Sequence, residues 1–104
     1  MSLEKQRREA IAKASRTLLF LTELLNCEYE SEIEDLIFEN EDRMWPINPQ
    51  DLKDMFCIGK ALDDEERQRR IQEARRRVKR MREMIETVRA IGEMMVRGEI
   101  FNEQ

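Results

Sequence analysis

Residues 64–97 read DEERQRRIQEARRRVKRMREMIETVRAIGEMMVR, and this stretch decides the fold. Ile71, Ala74, Val78, Met81, Ile85, Val88, Gly92 and Met95 follow one another at steps of three and four, a heptad seam on one face of a helix. Such a helix is about 50 Å long at 1.5 Å per residue, whereas a compact globule of this chain length is only about 30–35 Å across. The helix must overhang its own domain or bend, with Gly92 as the weak point. An overhanging apolar seam calls for a partner. The simplest solution packs the helix antiparallel on an earlier one and then doubles into a homodimer, with Ile71, Ala74, Val78, Met81, Ile85 and Val88 as the dimer seam.

Upstream, Ile11, Ala14, Leu18, Leu21 and Leu25 recur at the same spacing and predict a first helix over about 3–27. Ser31 and Glu34 stand at capping-box spacing and predict a short second helix over about 32–39, with a break near 27–31. A continuous helix to Asn40 is the competing reading, because Leu25, Tyr29, Ile33 and Leu36 keep the period. Residues 40–48 form the one clear loop. Asn48-Pro49 then opens a third helix over about 49–61: Asn48 suits the N-cap, and Pro49 has no amide hydrogen to leave unpaired. Asp63 and Glu66 repeat capping-box spacing at the start of the long helix over about 64–97, and 98–104 is a tail in which Ile100 and Phe101 either fold back or dock elsewhere. The expected fold class is all-α: one domain over 1–104, a hairpin or bundle of three to four helices, dimeric as an antiparallel bundle or coiled coil.

Composition narrows the chemistry. Charged residues make up 40% of the chain, with only three Gly and two Pro, too few turn residues for a β-sandwich or barrel. No histidine is present, which removes imidazole general bases, Ser-His and Cys-His pairs and His-containing zinc sets. Gly59, Gly92 and Gly98 stand alone, so no phosphate-cradling loop forms. No carboxylate sits in an apolar context that would tune it for acid–base work. Neither an enzyme nor a cofactor is expected. Cys27 and Cys57 lack the paired spacing of a metal or redox site and read as small apolar residues. Apolar runs are too short for a membrane span, and the basic start lacks a signal peptide's apolar region and cleavage site, so a cytoplasmic protein is expected.

The net charge of −4 conceals a separation. Residues 23–54 carry two basic and eleven acidic groups, whereas 67–82 carry nine basic and one acidic. The Arg67–Arg82 block has three readings: a solvated face that docks on the acidic stretch Glu28–Asp42, a grip on nucleic-acid phosphates, or a face for an acidic protein partner. Arg70 and Arg77 flank one side of the seam, and Arg75 and Arg82 the other, so a parallel pair of these helices would set arginine against arginine. Against nucleic acid stand a pI near 5.0 and the lack of aromatics on the basic helix. The acidic stretch lacks the Gly-centred loop of an EF-hand; it reads as a solvated or internally paired face, with nucleic-acid mimicry as the speculative alternative.

Beyond the basic block lies a methionine-rich apolar surface suited to an adaptable contact, since methionine repacks easily. Trp45-Pro46 in the loop either plugs the bundle or anchors a partner. These features predict a small protein-binding regulator, an adaptor, chaperone or inhibitor that covers a partner's surface. Trp45, Met84, Ile91, Met94 and Met95 are the expected apolar contacts, and Arg69, Arg76 and Arg80 set orientation. The alternative is a nucleic-acid-binding regulator using the arginine helix.

Overall fold

The computed structural model describes residues 2–98, and the expected tail contacts of Ile100 and Phe101 lie outside them. Four α-helices follow in order: α1 (Leu3–Leu25), α2 (Glu30–Glu39), α3 (Pro49–Met55) and α4 (Asp64–Arg97), with a single 3-10 turn at Glu41–Arg43. Local chemistry sets most boundaries. Ser2 caps α1 by accepting from the Lys5 amide (3.1 Å), Asn48 caps α3 through Gln50 (2.9 Å), and Asp63 caps α4 through Glu66 (2.8 Å). Gly98 ends α4 in the left-handed region, φ 80°, where a glycine has no Cβ to clash.

Two boundaries differ from expectation. Ser31 does not cap α2; the helix starts at Glu30 after Tyr29, which provides no side-chain cap, and the Glu32 carboxylate instead accepts from the Glu28 amide at 3.4 Å. The third helix stops at Met55 rather than near 61, because the chain turns left-handed at Cys57 (φ 54°) and again at Gly59 (φ 81°).

The long helix packs antiparallel on the first. Gly92 of α4 lies against Ile11 near the start of α1, while Arg75 reaches the Leu25 and Cys27 carbonyls past its end. α4 is continuous through Gly92, with no break in the helix at the expected weak point. The molecule accordingly measures 60 × 25 × 19 Å, with a radius of gyration of 16.6 Å against the roughly 13 Å of a compact chain this long.

The core occupies the closed end of this hairpin. Leu18, Leu21 and Leu24 of α1 meet Ile33 and Ile37 of α2, Met44 of the loop, Leu52 of α3, and Ile71, Ala74 and Val78 of α4, all buried. This corrects the dimer seam. Ile71, Ala74, Val78 and Ile85 are buried within a single chain and Met81 packs against the same core, so these positions are not available to a second copy. Only Val88 of that set stays exposed. The physical reason is that the α1 stripe, also heptad-spaced, faces the same seam and covers it first.

Candidate functional site

Burial stops abruptly along the hairpin. On α1 no residue before Ala14 is buried, and on α4 none after Ile85 among the described residues. The layer made by α2, the loop and α3 covers only the closed half, and beyond it the groove between α1 and α4 lies open. Its floor is Ala10, Ile11, Ala14 and Gly92, and its walls are Trp45, Val88, Ile91 and Met95. Arg7 and Arg89 stand at its rim, the latter 3.9 Å from Glu93.

Helical geometry explains why α4 offers an apolar wall here. Met81, Met84, Val88, Ile91 and Met95 step by three and four on a line rotated from the buried Ile71–Ala74–Val78–Ile85–Gly92 line. α4 thus carries two adjacent apolar stripes. The first is consumed by α1; the second emerges from under α3 at Met81 and runs to Met95. Val88 is 59% exposed and Met84 68%, unusual for side chains of this type on a chain with its core elsewhere.

Trp45 closes the inner end of the groove. Its backbone carbonyl accepts from the buried Thr17 hydroxyl at 2.5 Å, which ties the loop to α1, and its side chain stays half exposed. On its other side lies a small polar cavity, about 150 Å³, bounded by Lys13, Arg16, Arg43 and Asp42. The apolar groove itself is about 200 Å³. That is below the about 300–1,000 Å³ of a small-molecule site and suits one or two anchoring side chains.

A larger cleft, about 560 Å³, lies between α3 and α4, with Met55 and Met81 beside Asp51, Asp54, Glu73, Arg70 and Arg77. Both signs of charge line it, and no cluster of three metal-capable side chains occurs among the described residues. Cys57, buried, is among its lining residues, and Cys27 is half-buried with its thiol donating to the Glu23 carbonyl at 3.4 Å. Burial is the main cause that raises the Cys27 pKa, aided by Glu32 and opposed by Arg75, so the thiol is held protonated. Both cysteines are free.

The expected apolar contacts separate into two groups. Trp45, Ile91 and Met95 converge on the groove, together with Val88, which the sequence reading assigned to the dimer seam. Met84, although on the same stripe, and Met94 are exposed on α4 and do not line the groove. The arginines also divide. Arg67 pairs with Glu30 at 2.6 Å and with the Lys60 carbonyl, and Arg69 and Arg70 both hold Glu66. Arg75 closes the end of α1 by donating to the Leu25 (3.0 Å) and Cys27 (2.6 Å) carbonyls. Arg76, Arg77, Lys79 and Arg80 have no ionic partner among the described residues. Docking of the basic block on the acidic stretch therefore reduces to the Arg67–Glu30 pair; the other acidic-stretch bridge, Glu41 to Lys53 at 2.5 Å, runs to α3.

No protein family, curated protein or solved structure matches this chain. No helix among the described residues is long and apolar enough to cross a membrane.

Proposed function

We propose that the protein is a non-enzymatic binding regulator, an adaptor, chaperone or inhibitor that covers a partner protein's surface with the open end of its α1/α4 hairpin. The observation that carries this reading is the second apolar stripe of α4, left exposed beside Trp45 over a preformed groove. Folding alone does not require it: the core is completed at the closed end, and an exposed apolar stripe costs solubility unless something covers it. The groove fits side chains rather than a small molecule, and tryptophan, here Trp45, is among the residues enriched in contact hot spots.

The test is affinity capture from the source cell, after nuclease treatment, with wild type and a Val88→Glu/Ile91→Glu variant side by side. Both positions are exposed, so the helix tolerates the charges. The reading expects a protein retained by wild type and lost with the variant. Retention by both, or by neither, counts against it.

A second reading has its own support. Arg76 and Arg80, with Arg69 a turn or two away, line the outward ridge of α4 at helical spacing, and two of the three have no acidic partner among the described residues. Such a ridge suits phosphates, and binding through it falls steeply with salt. Electrophoretic shifts with single-stranded and duplex probes at low and moderate salt decide it; no retention at low salt removes it.

A further inference from the structure

Positive charge that folding leaves unpaired collects in one small cavity. Lys13 and Arg16 stand three residues apart on α1, and Arg43 ends the 3-10 turn that packs beside them. Together with Asp42, the buried Thr17 and Trp45 they line a cavity of about 150 Å³. We infer that this cavity binds a phosphate group, with Lys13, Arg16 and Arg43 as its cationic contacts and Trp45 as its wall. None of the three cations lines the apolar groove, so the inference stands whether or not that groove is a protein contact.

Three observations carry it. First, the cations are not spent on the fold. Lys13, Arg16 and Arg43 form no ion pair with a described residue, on a chain whose net charge is −4. Asp42 is the one carboxylate in the lining, so the cavity keeps a charge of +2. Glu41, beside Asp42, is held by Lys53, and Glu9, one turn before Lys13, makes no ion pair with it.

Second, packing rather than charge fixes the arrangement. Arg43 is followed by Met44, fully buried in the core, and by Trp45, whose carbonyl accepts from the Thr17 hydroxyl at 2.5 Å. Thr17 is next to Arg16 and one turn past Lys13. The tie that docks the loop on α1 therefore sets like charges side by side, which is unfavourable until an anion enters. A site organised before binding spares the ligand the cost of ordering it.

Third, size and charge choose the anion. The cavity is smaller than the about 300–1,000 Å³ of a site for a whole small molecule. It equals the liquid volume of about five waters at roughly 30 Å³ each, room for one tetrahedral oxyanion. A phosphate monoester presents three acceptor oxygens and a charge of about −1.5 to −2, against two oxygens and a single charge for a carboxylate. The phosphate is the better match to two guanidinium forks, an ammonium and a net +2.

Trp45, the chain's one tryptophan, lines the cavity and reports its filling. Wild type is titrated at low ionic strength with inorganic phosphate, with phosphoserine blocked at both ends, and with the same blocked serine unphosphorylated. Trp45 emission and calorimetry follow each titration, with sodium chloride at matched ionic strength as the blank. Saturable binding of a phosphate-bearing probe at millimolar concentration or below is expected, and Arg16→Gln/Arg43→Gln should bind it about tenfold or more weakly. Tighter binding of phosphoserine than of inorganic phosphate assigns the site to a phosphorylated side chain; the reverse order, or equality, assigns it to the free ion. Both substituted side chains are exposed, and circular dichroism checks that helicity is kept. Lys13→Gln, also exposed, serves as a second variant with a smaller loss in the same direction. The proposal is overturned by no saturable binding in either readout, by a response that chloride reproduces, or by unphosphorylated serine binding as tightly as phosphoserine. Wild-type affinity in both variants overturns it as well.

Discussion

Replacing Gly92 by alanine tests how α1 and α4 are held at the open end. Glycine inside a helix costs about 1 kcal/mol relative to alanine, because the unfolded chain loses more freedom on ordering it. The added Cβ would stand 3.2 Å from Cγ1 and 3.7 Å from Cδ1 of Ile11, so that side chain must yield by a few tenths of an ångström. Ile11 can yield. It is half-buried and borders the open groove, and moving one side chain slightly off its rotamer costs about 0.5 kcal/mol at the low end of such penalties. The gain exceeds the cost, and Gly92→Ala is expected to stabilise by about 0.5 kcal/mol, a rise in Tm of roughly 2–4 °C for a domain this size. Gly92→Val places further methyl groups at the same contact and is expected to destabilise by about 1–3 kcal/mol. Urea denaturation followed by far-UV ellipticity measures both. Ile11→Ala combined with Gly92→Ala completes a double-mutant cycle whose coupling should reach about 0.5 kcal/mol. Loss of stability by 1 kcal/mol or more in Gly92→Ala would refute the reasoning, since it would mean the hairpin is rigid at Ile11.

Three further outcomes follow from the contacts. Arg75→Gln removes two charge-assisted hydrogen bonds to the Leu25 and Cys27 carbonyls and is expected to cost about 1.5–3 kcal/mol in urea unfolding. Thr17→Val keeps the shape but leaves the Trp45 carbonyl without its donor, with an expected cost of about 1–3 kcal/mol and a red-shifted tryptophan emission as the loop loosens from α1. A raised pKa lowers the thiolate fraction at pH 8, so Cys27 should alkylate more slowly than an unfolded-chain cysteine, with a rate that climbs as pH increases; equal rates at pH 8 would contradict the burial argument.

The helices were legible where their signals are local. Asn48-Pro49 and Asp63 with Glu66 mark starts that the structure reproduces, because a cap depends only on residues two or three apart. The false start at Ser31 arose because the break after α1 is set from a distance: Arg75, 48 residues downstream of Cys27, takes the carbonyls at the end of α1, and no window around Ser31 contains that arginine. The early stop of α3 was hidden by Leu52, Met55 and Phe56, whose apolar spacing continues the helix on paper while Cys57 and Gly59 turn it.

The candidate site was half legible. Trp45, Ile91 and Met95 stand out by residue type, and the structure brings them together. Val88 and the buried positions were merged into one seam, because Met81, Val88 and Met95 fit both of two adjacent helical stripes. Which stripe α1 would cover depends on how the hairpin docks, and spacing along a single helix does not carry that information. The signal that separates them is the residue type one stripe over: Met84 and Ile91 continue the exposed line, while Ala74, Val78 and Gly92, small enough for close approach, mark the one facing α1.

The central claim is that the open end of the hairpin touches another protein. A photo-crosslinking residue placed at Val88, with a control at Leu19, which is equally exposed at 59% on another face, tests it in the source cell. The account predicts a discrete protein adduct from position 88 that is absent from position 19 and disappears when Ile91 is changed to glutamate. No adduct at 88, or the same adducts from both positions, would contradict it.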